Sequence, residues 1–211
     1  MARHLLYFAD PMCSWCWGFS PTMQRLVETY GAALPIRITV GGLRPGTTTP
    51  MDDRMKGDIR THWEHVHEAS EQPFDFAFFE RDGFVYDTEP ACRAVVTDRR
   101  LDQTNALAFM KTVQRSFYAE NIDVSDVDEL VRLATDSGYD GASFRKEFLG
   151  DEARRETQAD FQFSQQCGVT GFPTILGVKD EAGAIITIGF RRWENIEPII
   201  EAWLADTAEK S

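Results

Sequence analysis

Hydrophobic and polar positions along this chain follow two periods, and the changes between them mark its elements. His4 to Ala9 is a short apolar run and predicts a buried strand. Ile36 to Val40 alternates around β-branched residues and predicts a second strand. A helix is expected between them, with Ser20 as its cap, Pro21 at its first position and Gly31 as its stop. Gly41 to Gly46 reads as a loop, so the chain opens with a β-α-β unit. Beyond it the period becomes helical. Ile59, Trp63 and Val66 share one face, and so do Phe109, Val113 and Phe117. Ser125 is the expected cap of a helix over 126–136, with Asp128 completing a capping box, and Gly138 stops it. A short helix over 141–149 ends at Gly150. Only Pro73 to Asp87, rich in phenylalanine, lacks a period and reads as an irregular connection.

The last part of the chain is mixed again. A helix is expected over 151–167, stopped by Gly168. Ile175 to Val178 and Ala184 to Ile188 predict two strands, joined by a turn from Lys179 to Gly183 into an antiparallel hairpin. Asn195 is the expected cap of a final helix. Its apolar stripe is Ile196, Ile199, Ile200, Trp203 and Leu204.

Composition narrows the function classes. Apolar residues make up 43% and charged residues 27% of 211 residues, the balance of an ordinary globular chain. The net charge of −12 argues against nucleic acid as a partner, since such a surface repels phosphate. The apolar run at the start is too short for a signal peptide or a membrane span. That points to a cytoplasmic protein with no membrane partner, where cysteines serve redox or metal chemistry more often than structural disulfides.

Cys13-Ser14-Trp15-Cys16 carries the candidate chemistry. A cysteine at a helix start faces free backbone N–H groups and the positive end of the helix dipole, which favour a thiolate. The second cysteine lies one turn on, where it can attack the first sulfur and release a mixed disulfide. Cys13 is therefore the expected nucleophile and Cys16 the resolving thiol. Zinc is the rival reading, but it needs two more ligands at the right spacing. Cys92 and Cys167 are isolated, and both read as buried small apolar residues. His62 and His65 lie on one helix face without completing a set, and read as solvated histidines; no metal is expected. Gly171-Phe172-Pro173-Thr174 is the second half of the candidate site, because proline is tolerated at the first residue of a strand and X-Pro is the bond that admits cis.

The strand leading into CxxC, the helical block, and Gly171 to Thr174 before a hairpin and last helix together resemble the DsbA-like branch of the thioredoxin superfamily. The segment Asp10 to Gly18 is similar to the subgroup of predicted protein-disulfide isomerases related to FrnE-type proteins. The resemblance implies an α/β thioredoxin-like fold with a mixed central sheet and an all-helical insertion domain. The thioredoxin-like domain would comprise 1–46 and 151–211, and the insertion 47–150. It implies a cis Pro173 facing the CxxC, with Gly171, Phe172 and Thr174 offering backbone to a substrate strand. It also implies an enzyme, a thiol–disulfide oxidoreductase or isomerase acting on disulfide-containing or thiol proteins or small molecules. Its redox-active disulfide is the only cofactor expected, glutathione is a candidate co-substrate, and the protein is a monomer or homodimer.

Three departures bear on this. Ser14-Trp15 lacks the histidine of DsbA. The buried acid of thioredoxin falls on Tyr7. Asp10 is the nearest carboxylate, as either a proton carrier or a turn cap. Of the aromatics around the motif, Trp17 and Phe19 are expected to be buried and Trp15 exposed. The phenylalanines of the Pro73–Asp87 connection are expected in the core. An alternative reading is a glutathione-dependent transferase or isomerase of the kappa or chromene-carboxylate-isomerase type. That class expects serine rather than two cysteines at the helix start, for which Ser14 or Ser20 is available.

Overall fold

The computed structural model describes residues 3–180 and 182–206. Four strands form a mixed sheet: β1 (Arg3–Ala9), β2 (Ile36–Val40), β3 (Thr174–Lys179) and β4 (Ala182–Ile188). Their order is β2-β1-β3-β4. β1 and β2 are parallel, and the other two pairs are antiparallel. Eight helices among the described residues accompany the sheet: α1 (Ser14–Tyr30), α2 (Asp53–Ser70), α3 (Glu89–Leu101), α4 (Ala106–Ala119), α5 (Val127–Asp136), α6 (Gly141–Leu149), α7 (Asp151–Gln166) and α8 (Trp193–Ala205). This is the thioredoxin-like α/β architecture that the resemblance implied.

The sheet is covered on both faces, which explains why β1 reads as a continuous apolar run rather than an alternating one. Leu5 to Ala9 are all buried. Tyr7 points to α1, its ring 6.1 Å from that of Phe19. Trp203 of α8 covers the same sheet over Gly177, where a Cβ would come within 2.6 Å of the indole. On the opposite face Phe8 meets Phe163 of α7 at 5.9 Å. The sheet and the helices α2–α6 share one continuous apolar cluster. Ile59, Trp63, Val66, Phe109, Val113 and Phe117 are all buried in it, as their periodicity predicts.

Several boundaries differ from expectation, and each has a local cause. α1 begins at Ser14, not after Ser20, with Cys13 as its N-cap and Pro21 inside the helix. A proline there leaves the Trp17 carbonyl without its helical donor. Gln72 Nε2 approaches that carbonyl at 3.5 Å and binds Ser20 Oγ at 2.9 Å. α5 is capped by Asp126, whose carboxylate accepts from Asp128 N and Glu129 N, while Ser125 turns back to Asp123. α8 starts at Trp193, whose indole is buried, so Asn195 lies within the first turn rather than at the cap. The inner face of α7 is Ala153, Thr157, Asp160, Phe161 and Ser164. Cys167 is consequently half-buried at the helix end, not in the core. Polar Asp160 points inward because it accepts from Val40 N at 3.0 Å and pairs with Arg99 at 2.7 Å. Both strands of the hairpin run longer than expected, and residue 181 of its turn lies outside the described residues, as do residues 1 and 2 of the apolar start.

Candidate active site

Three loops converge at one end of the sheet: 10–13 after β1, 41–43 after β2, and 171–173 before β3. Asp10 organises the first and ties it to the second. Its backbone carbonyl accepts from Cys13 N at 3.1 Å, closing a turn. Its carboxylate is wholly buried and accepts from Met12 N at 2.8 Å and from Leu43 N at 2.6 Å. Burial pushes this carboxyl above the ordinary range, opposed by hydrogen bonds from Leu43, Met12, Cys92 and Thr88. The third loop packs on the second. The Phe172 ring lies over Gly41, where a Cβ would fall 1.9 Å from the ring, so only glycine fits there. Thr174 Oγ1 donates to Gly171 O at 2.8 Å, and the Phe172–Pro173 bond is cis, as the resemblance implied.

The turn delivers Cys13 to the N-cap of α1 with φ −93° and ψ 115°, and no side chain caps the helix. Cys13 thus stands at the helix N-terminus, where its carbonyl oxygen accepts from Cys16 N and Trp17 N at 2.9 and 3.1 Å. Cys13 Sγ lies 3.7 Å from the carbonyl oxygen of Phe172, which joins the two halves of the candidate site. Cys16 follows one turn on, its N–H bound to Cys13 O at 2.9 Å. It is wholly buried, and both cysteines are free thiols. Burial pushes the Cys16 thiol well above the ordinary range; its contact with Cys13 adds to this, as does the Asp10 charge, while a backbone hydrogen bond from Asp10 opposes it. Tyr7 meets the same sulfur from β1. Burial and the two cysteines raise its phenol well above the usual value, so it serves Cys16 as a donor and not as a base.

The remaining site residues fall as follows. Ser14 and Trp15 are half-buried at the first turn of α1, and the Trp15 ring rests 5.5 Å from Phe190. Trp15 is thus more covered than expected. Trp17 and Phe19 are buried, and Met12 is wholly so. Trp17 Nε1 donates to Pro73 O at 3.0 Å, and Tyr86 Oη donates to Met12 O at 2.7 Å. The helical block therefore holds the reactive turn from behind. His62 and His65 are exposed on α2. Among the described residues no cluster of three or more His, Cys, Asp or Glu side chains is arranged to hold a metal.

Sequence reasoning missed two partners. Cys92, read as a small apolar residue, is buried but donates from Sγ to Asp10 Oδ2 at 3.3 Å. Tyr7, noted as replacing an acid, turns out to touch Cys16. Neither contact has a local signature, since 82 residues separate Cys92 from Asp10.

The thioredoxin family model matches residues 6–190. A solved structure from Nitrosomonas europaea, provisionally assigned as a protein disulfide isomerase, is 37% identical, with a TM-score of 0.93 over 99% of this chain and 100% of that one. The cytosolic disulfide reductase DsbM from Pseudomonas aeruginosa is 24% identical, with a TM-score of 0.80 over 95% of this chain and 98% of that one. A further structure of DsbM contains GSH. By sequence, the ClpXP adapter protein SpxH of Bacillus cereus is 26% identical over 80% of this chain, and the match spans 57% of that relative's length. The chain belongs to the thioredoxin family, with the fold of its DsbA-like members.

Proposed function

We propose that this chain is a thiol–disulfide oxidoreductase that reduces and isomerises disulfides through Cys13 and Cys16. The observation that carries this reading is Cys13 at the N-cap of α1, beside the Phe172 carbonyl, with Cys16 buried one turn behind it. The Cys13 thiolate attacks one sulfur of the substrate disulfide. A bond forms between Cys13 and that sulfur, and the other substrate sulfur leaves as a thiolate and takes a proton. Cys16 then loses its proton and attacks Cys13 Sγ. The second substrate thiol departs, and the Cys13–Cys16 disulfide remains. Two electrons have passed to the substrate. A small thiol of the glutathione class restores the pair, as GSH in the DsbM structure suggests for a related fold. Gly171, Phe172, Pro173 and Thr174 form the wall along which an extended substrate segment lies.

The surroundings of the pair favour the reducing direction. Burial acts most strongly on Cys16, followed by the second sulfur, and both oppose its thiolate; the Asp10 charge opposes it less than the Asp10 backbone hydrogen bond favours it. Strong oxidants of this fold stabilise the reduced, thiolate form. Here Ser14-Trp15 supplies no cation between the cysteines. The name of DsbM as a cytosolic reductase supports the same direction, and a cytoplasmic setting with it. No helix among the described residues is long and apolar enough to cross a membrane.

A glutathione redox titration of the pair, with insulin reduction as the activity, tests the proposal. The expected potential lies nearer to about −270 mV than to about −120 mV, the values of thioredoxin and DsbA. Cys16→Ser is expected to accumulate mixed disulfides. Full insulin reduction by Cys13→Ser would overturn the assignment. Saturable glutathione binding, with catalysis surviving the loss of Cys16, would favour the transferase or isomerase reading instead.

A further inference from the structure

The disulfide-exchange chemistry leaves one buried thiol unused. Cys92 sits on α3, wholly buried, and its sulfur lies against the Asp10 carboxylate rather than against apolar side chains alone. An ionised carboxylate has about four acceptor sites. Asp10 meets donors only: Met12 N–H on Oδ1, and Leu43 N–H and the Cys92 thiol on Oδ2, with the Thr88 hydroxyl beside them. Thr88 Oγ1 in turn accepts from Arg44 N at 3.1 Å, which leaves its own proton for Asp10. A cage made of donors suits a carboxylate and leaves a carboxylic acid without an acceptor for its proton. Two of the donors are backbone groups of the converging loops. Cys92 and Thr88 are the side-chain donors, and Cys92 is the one carried by a helix packed across the site.

We infer that Cys92 is a positioning residue: its S–H group, bonded to Asp10, opposes protonation of that carboxylate and fixes it beneath the turn that presents Cys13. The consequence for catalysis rests on the disulfide-exchange reading; the pairing itself does not. The titratable groups facing Asp10 are Cys13 and Cys16 on α1, Cys92 on α3 with Glu89 beside it, Tyr86 on the connection before α3, and Tyr118 on α4. Arg44 adds a cation to this shell and lies over the Tyr86 ring at 5.9 Å. The Asp10 charge therefore acts directly on Cys16, and Cys92 controls how firmly that charge is held.

The test follows the carboxyl carbon of Asp10 by carbon NMR through a pH titration of the fully reduced protein. The resonance is identified by its disappearance in Asp10→Asn. Cys92→Ala removes one donor and is expected to raise the proton affinity of Asp10 about tenfold, the scale of one hydrogen bond to a charged group. Cys92→Ser keeps a donor and is expected to stay within about threefold of the natural protein. If Cys92→Ala does not fold, Cys92→Val makes the same test at closer volume. An unchanged midpoint in the donorless variant, or an equal shift in Cys92→Ser, overturns the inference. The pH profile of Cys13 alkylation by iodoacetamide reads the consequence. Its Asp10-linked inflection should move with Cys92→Ala and show no further change when Cys92→Ala is added to Asp10→Asn. Should Cys13 stay unreactive while the carboxyl titration still moves, the disulfide-exchange reading fails and the pairing stands.

Discussion

Two irregular stretches pack against the reactive helix, and they are held by opposite means. The turn 10–13 is fixed by polar contacts that converge on one buried carboxylate. The connection Pro73–Asp87, with only a 3-10 turn at Phe76–Glu80, is fixed by rings packed around Trp63. Phe78 and Phe79 stand 4.9 and 4.8 Å from that indole, and Phe74 and Tyr118 stand 5.2 and 5.0 Å from it. Ring packing is weakly directional and spread over many partners. A carboxylate cage is directional, few-membered and sensitive to protons. The first kind of contact supports the site mechanically; the second can tune it. The regions meet at Tyr86, whose ring lies 6.3 Å from Phe78 and whose hydroxyl holds Met12 O.

This contrast can be broken at each end. The largest effect is expected from Cys13→Ser: on the order of a thousandfold or more lost in disulfide reduction, with the unfolding midpoint little changed, measured by insulin turnover beside thermal melts. Trp63→Ala should do the reverse. It should cost about 3–5 kcal/mol in denaturant unfolding, with turnover per folded molecule largely retained. A large fall in turnover without loss of stability would show that the ring cluster does more than support the site.

Asp10→Asn should have a smaller effect that depends on pH, changing stability by about 1–3 kcal/mol. Burial raises the Asp10 carboxyl above its unfolded value, so its contribution is fullest below about pH 4 and is lost as pH rises through the folded pKa. The natural protein should therefore lose stability relative to Asp10→Asn across that interval. A difference independent of pH would mean that the carboxyl does not titrate there. The smallest change is expected from Tyr86→Phe, about 1 kcal/mol for its bond to Met12 O, read by urea unfolding. Because this residue belongs to both regions, its double mutants with Asp10→Asn and Trp63→Ala report which region it is coupled to.

Much of the fold was legible because apolar periodicity and glycine punctuation are local signals. The edges of β2 and of α6 fall where Ile36–Val40 and Gly150 predict them. Cap positions were less legible. Ser20, Ser125 and Asn195 each resemble a cap, but Ser20 lies inside α1 and accepts from Gln72, Ser125 turns back to Asp123, and Asn195 falls inside the first turn of α8. Cys167 at the end of α7 was misread as buried for a related reason: the inner face of that helix carries Asp160, polar in sequence yet satisfied by Val40 N and Arg99 in three dimensions. In the candidate site, Cys13, Cys16, Asp10 and the Gly171–Thr174 loop were visible as motifs. Cys92 was not, because a cysteine within an apolar helix face looks the same whether it faces carbon or a carboxylate.

The amino-acid sequence alone determined the two strands around the first helix, the closely spaced thiols at its start, and the proline loop before the hairpin. Spacing and residue type set these, and both are properties of neighbours along the chain. Only the tertiary structure decided what surrounds the thiols. It put Cys13 beside Phe172, Tyr7 against Cys16, and Cys92 on the Asp10 carboxylate. Burial and electrostatics act through space, so the charge felt by a sulfur depends on residues tens of positions away that the fold brings to hydrogen-bonding distance.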